Sequence, residues 1–189
     1  MIFLHHNPRK VKQRNIWSDS WQTLTTGLIL IALLSPFTVT GQTRPYTVRT
    51  GEYIVDLPSA EWRATVSGAR YSRDFRFGND ESFVHLRIRR DTVNEHLSTS
   101  DVAERQRRLD RSSKPGYITA TIESFKGALS GTKYAYEYVT SGKPMAKVIY
   151  YLRGTKRTIY RIEFTGSPTM LLHLADQTQS IARSFRLKQ

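Results

Sequence analysis

The 189-residue chain contains no cysteine. That absence excludes a disulfide framework, a thiolate metal site, a cysteine nucleophile and a lipid-bearing cysteine, so packing alone must hold the domain together. Long apolar runs are lacking too. The longest, Leu24 to Val39, is 16 residues and is interrupted by Pro36, against about 20 for a bilayer-spanning helix. Catalytic signatures are also missing. There is no phosphate-binding loop, no His-Glu zinc helix and no Ser-x-x-Lys set with its companions. "GALSG", Gly127 to Gly131, misses the Gly-x-Ser-x-Gly nucleophile elbow by one position. Ser130 is thus the single prompt for a hydrolase or ligand-processing enzyme with an unrecognised site. Beyond residue 41 the histidines are His85, His96 and His173, with no ligand spacing between any two on one element. No catalytic residue, metal or cofactor is therefore indicated.

Acidic residues are scarce: 16 against 29 Lys and Arg, a net charge of +13. Four of the basic residues and one acidic residue fall in the first 41, leaving 25 against 15 and a charge of +10 for the remainder. The excess belongs to the folded part. It implies attraction to polyanions such as anionic lipid headgroups, lipopolysaccharide, teichoic acids or extracellular nucleic acid, or else solubility through charge alone, and the partner expected is a protein or an anionic envelope component.

What is present first is a leader. Arg9, Lys10, Lys12 and Arg14 precede the uncharged stretch Gly27 to Leu34, and Val39 and Gly41 supply small residues for cleavage. The expectation is a secretory signal over residues 1–41, a short linker over 42–50 and a single globular domain over 51–189. This makes the protein exported, periplasmic or extracellular, with an uncleaved N-terminal membrane anchor as the alternative.

The mature chain alternates like a sheet protein. In "EYIVDLP", Tyr53, Val55 and Leu57 face one way until Pro58 stops the strand. "YSRDFRF" (71–77) and "SFVHLRIRR" (82–90) flank a four-residue turn, with Val84, Leu86 and Ile88 on one face. "STSDVAERQRRLDRSSKPG" reads as a helix capped by Asp101 with Glu104, with Val102, Ala103, Gln106 and Leu109 inward and Arg105, Arg108 and Arg111 outward. Four further strands, 117–123, 133–140, 145–153 and 157–165, form an antiparallel meander. A closing helix begins at Ser167-Pro168 and buries Met170, Leu171, Leu174, Thr178 and Ile181, and Phe185 and Leu187 act as a final strand or clip.

"EYIVDLPSAEW", "YYLRGTKRTIYRIEFTG" and "QSIARSFRL", in this order of elements, resemble the PsbP-like superfamily, which includes the Ran-binding Mog proteins and bacterial DcrB-type exported proteins. The resemblance covers Gly51 to Leu187. It implies an α+β fold, a single antiparallel β-sheet flanked by helices in an α/β/α sandwich, and a non-enzymatic accessory or binding role. Many members carry Gly-Trp directly after the first strand's proline. Here Ser59, Ala60 and Glu61 intervene, which leaves the place of Trp62 open.

One constellation points to a surface. If the hairpins align, Arg73, Arg87, Arg89, Lys156, Arg157 and Arg161 share a basic face containing Tyr71, Phe75 and Phe83. That face suits an anion or partner. With its aromatics it also suits single-stranded nucleic acid, by phosphate pairing and base stacking. No nucleic-acid fold signature supports that last reading.

Overall fold

A computed structural model describes residues 44–47, 52–65, 72–79, 82–118 and 120–188. The expected leader, residues 1–41, lies outside the described residues.

Seven strands form the main antiparallel sheet. In chain order they are β3 (Arg63–Thr65), β4 (Ser72–Gly78), β5 (Phe83–Thr92), β6 (Ala120–Lys126), β7 (Ser130–Thr140), β8 (Lys143–Thr155) and β9 (Thr158–Gly166). Their spatial order is β3-β4-β5-β9-β8-β7-β6. The two expected hairpin systems are therefore joined through β5 and β9, with Leu86 opposite Phe164 and Ile88 opposite Ile162. A second sheet sets β2 (Tyr53–Leu57) between β1 (Arg44–Thr47) and the two-residue β10 (Arg186–Leu187). The stretch expected as a linker thus contains a strand, because the exposed edge of β2 offers backbone groups that residues 44–47 can pair.

The alternation of the sequence decides which face is buried. Phe75, Phe77, Val84, Leu86, Ile88, Tyr150, Leu152, Tyr160, Ile162 and Phe164 lie in one core with Tyr53, Val55 and Leu57 of β2. Helices α2 (Pro168–His173) and α3 (Ala175–Ser184) close this side with Leu171, Leu174, Ile181 and Ala182. Phe185 is fully buried against Tyr53 (4.7 Å between ring centroids) and Tyr160 (5.0 Å). Trp62 finds its place here too, 5.2 Å from Phe77, with its indole N–H donating to Gln177 Oε1 at 3.1 Å.

On the opposite face, α1 (Thr99–Ser113) packs over β6, β7 and β8. Ala103 meets Tyr134, Tyr136, Tyr138, Ile149 and Tyr151 there. β8 is consequently covered on both sides, as its apolar run "VIYYL" requires.

Three details of the helices differ from the sequence expectation. The cap of α1 is Ser98, three residues before Asp101. Its hydroxyl accepts from the Asp101 amide (3.0 Å), while the Asp101 carboxylate accepts from the Ser98 amide (2.9 Å), a reciprocal pair that outcompetes Asp101 with Glu104. Leu109 is also not inward. It is 56% exposed, and Asp110 takes the buried position because Gln106 (3.1 Å) and the Tyr134 hydroxyl (3.3 Å) both donate to it. The closing helix is two helices, broken at Leu174.

Candidate functional site

α1 covers only the β6–β8 half of its face. Over β4, β5 and β9 no described helix covers the same face, and there the alternation places charged side chains in cross-strand rows. Asp74 sits beside Arg87 and then Glu163. Ser72 sits beside Arg89 and then Arg161, and Arg76 beside His85, Thr165 and Lys147. Arg87 and Arg89 each keep 39% of their side chain exposed.

The charges form a lattice. Arg87 holds Asp74 at 2.8 Å, Arg161 holds Asp91 at 3.2 Å, and Glu163 lies between Lys147 (2.5 Å) and Arg89 (4.0 Å). Burial raises the Glu163 carboxyl pKa, but Lys147, Arg161 and Arg89 outweigh it and hold the group below the ordinary carboxylate range. Burial also lowers the pKa of the His85 imidazole, against the pull of Asp74. Among the described residues five cations, Arg76, Arg87, Arg89, Arg161 and Lys147, share this face with three carboxylates, Asp74, Asp91 and Glu163, and Arg63 borders them as the exposed cross-strand neighbour of Arg76. Arg89 and Arg161 are direct cross-strand neighbours, a like-charge pairing that is unfavourable by itself. Among the described residues the carboxylate paired with Arg89, Glu163, is 4.0 Å away, and the Arg89 Nε, like that of Arg161, is buried without a hydrogen-bond acceptor.

Of the residues expected to share one face, Arg87, Arg89 and Arg161 do. Arg73 does not. It pairs in register with Ile88 and so projects from the opposite side of the sheet, where its guanidinium donates to the Ser72 carbonyl at 3.3 Å. Lys156 and Arg157 occupy the β8–β9 turn, roughly 13 Å along the strand from Arg161 by strand rise. Lys156 borders instead a shallow cavity of about 420 Å³ with Arg153, His96 and Glu95. The aromatic component is reduced as well: Phe75 is buried in the core on the other face, and Tyr71 lies outside the described residues. Phe83 alone remains, 40% exposed beneath the Arg76 guanidinium at 4.3 Å. A stacking track for bases is therefore not formed by these residues.

Asp74, Asp91, Lys147, Glu163 and Arg76 complete the lattice and were not singled out in the sequence. The signal of Asp91 and Glu163 was present in the alternation of "VHLRIRRD" and "YRIEF", but it becomes informative only once β5 is paired with β9, which lie far apart in sequence. Ser130 stands exposed at the start of β7, opposite Lys126. The neighbouring Gly131 has a packing reason, because a Cβ there would lie 1.9 Å from the Tyr151 carbonyl oxygen. Among the described residues no three of His, Asp and Glu gather to hold a metal ion, and no helix is long and apolar enough to cross a membrane.

No protein-family model matches the sequence, and no curated protein matches it. Solved structures do. LpqN of Mycobacterium tuberculosis, described as involved in cell envelope biogenesis, aligns at a TM-score of 0.55 and 12% identity, over 78% of this chain and 92% of LpqN. The Ran-binding protein Mog1p of Saccharomyces cerevisiae aligns at 0.53 and 9%, over 77% and 95%. The chain has the PsbP-like fold. The solution structure of cyanobacterial PsbP from Synechocystis matches at 0.48 and 13% identity, over 83% and 98%. The half-face bearing Arg87, Arg89 and Arg161 is the part of the main sheet that α1 leaves uncovered.

Proposed function

We propose that the protein is an exported, non-catalytic binding domain that receives an acidic protein surface on the open half of its main sheet. The observation that carries this reading is the lattice itself, in which five cations surround three carboxylates and Arg89 and Arg161 lie side by side. A uniformly anionic bilayer would meet Asp74, Asp91 and Glu163 as well as the arginines. A folded partner can match both signs, and this favours protein over lipid. The leader expected over residues 1–41 supports export, with the globular domain following it and including the strand at 44–47. The printed descriptions of Mog1p as Ran-binding and of LpqN as involved in envelope biogenesis accord with a binding role, although one fold hosts many functions.

The test is capture from envelope extract by the full-length protein at two salt concentrations. A protein partner held at about 0.1 M salt should be released near 1 M, where the Debye length shrinks from about 10 Å to about 3 Å. Retention that ignores salt, or failure to retain any protein, would contradict the reading.

A further inference from the structure

A second group of cations stands at the end of α1. Arg107, Arg111 and Lys114 line one side of a cavity of about 590 Å³, and the chain through Gly116, Tyr117 and Ile118 lines the other. Small-molecule sites typically span about 300 to 1,000 Å³. Among the described residues no carboxylate lines this one. Arg107 is steadied by Glu104 at 2.8 Å, and the Lys114 ammonium lies 5.5 Å from the Tyr138 ring centre. Asp110 does not neutralise the cavity, since it is turned inward with its oxygens engaged by Gln106 and Tyr134.

The facing wall is fixed. The Ile118 amide donates to the Glu137 carbonyl at 3.0 Å and the Val139 amide to the Pro115 carbonyl at 2.9 Å, stitching this segment to β7. Gly116 has φ +58°, and a Cβ there would meet Val139 Cγ2 at 2.7 Å, so the turn requires glycine. Tyr117 is held by a 3.2 Å hydrogen bond between its hydroxyl and that of Tyr134, and its ring stacks on Tyr136 at 5.4 Å. Ile118, 66% exposed, adds an apolar side chain at the rim. The macrodipole accounts for one basic residue in the last turn of a helix. It does not account for three cations converging on a fixed aromatic wall.

We infer that this cavity binds an organic phosphate, with the phosphate oxygens on Arg111, Arg107 and Lys114 and the carbon skeleton against Tyr117 and Ile118. Guanidinium groups offer phosphate a planar pair of donors and ammonium a compact charge. The cavity exceeds what a bare phosphate fills, which calls for an organic remainder. The same chemistry reaches the protein either as a soluble phosphate ester or as the headgroup of an anionic phospholipid.

Calorimetric titration of the full-length protein with glycerol 3-phosphate and with inorganic phosphate, alongside sedimentation with phosphatidylglycerol or phosphatidylcholine vesicles, tests this. Glycerol 3-phosphate or phosphatidylglycerol should bind, and more tightly than inorganic phosphate or phosphatidylcholine. Binding to the vesicles alone assigns the ligand to lipid, and binding to the soluble ester assigns it to the headgroup chemistry itself. Arg111→Ala with Lys114→Ala should weaken binding by about tenfold or more with the melting temperature retained. Ile118→Ser should weaken the organic probes without changing inorganic phosphate. Arg105→Ala with Arg108→Ala, an equal loss of charge on the outward side of α1, should leave affinity within about twofold. The inference is overturned if neither probe binds, if the two double variants lose affinity equally, or if inorganic phosphate binds as well as the ester.

Discussion

Phe185 closes the core between Tyr53 and Tyr160, and replacing it by alanine should cost about 3 to 5 kcal/mol, read as a much lower melting temperature. Gln179→Ala, by contrast, should change stability by only about 0.5 kcal/mol or less. Gln177 differs from its neighbour because it accepts the Trp62 indole N–H, so Gln177→Ala should cost about 0.5 to 1.5 kcal/mol in the same melts. Glu163 is the shared acid of the lattice. Removing it with Glu163→Ala leaves Lys147 and Arg89 without their carboxylate and should cost about 3 to 5 kcal/mol. Two pH dependences follow from the same row. The folded-state pKa of Glu163 lies below its ordinary value of 4.5, so its contribution is complete above that range and is lost as pH falls through the lowered value. The folded-state pKa of His85, faced by Asp74, Arg87, Glu163 and Lys147, lies below 6.5. The unfolded chain therefore takes up the proton first, and stability falls as pH drops through 6.5. Thermal melts between pH 8 and pH 5 should show a shallower decline for His85→Gln than for the wild type, and parallel curves would refute the assignment.

Helices and strands were legible to different depths. The hairpin of β4 and β5, the meander of β7, β8 and β9 and the clip after Ile181 all follow from alternation and turn residues. These are local signals. The start of α1 was misplaced because two overlapping capping pairs exist, and only geometry decides between Ser98 with Asp101 and Asp101 with Glu104. Ser98→Ala should accordingly destabilise by about 1 kcal/mol in equilibrium unfolding, whereas Glu104→Ala should have a smaller effect. The inward turn of Asp110 was not legible either, since it depends on Tyr134 from a distant strand. The break at Leu174 hides for another reason. Leu174 N–H still bonds Met170 O and Thr178 N–H bonds Leu174 O, so the apolar spacing passes through unchanged.

At the scale of the whole molecule, the open face exists because β5 and β9 pair across about seventy residues of intervening chain, a contact that no local pattern announces. Sequence alone therefore found Arg87, Arg89 and Arg161, misplaced Arg73, and overlooked the carboxylates that make the surface a mixed lattice rather than a simple basic patch. Two variants of equal net charge test the central claim most directly. Arg87→Gln with Arg89→Gln removes two charges from the face, and Arg105→Gln with Arg108→Gln removes two from the outward side of α1. Capture of the acidic envelope partner at low salt should fall by about tenfold or more for the first pair and by less than about twofold for the second. Equal losses would mean that net charge alone attracts the partner, and a loss confined to the α1 pair would place the interface elsewhere.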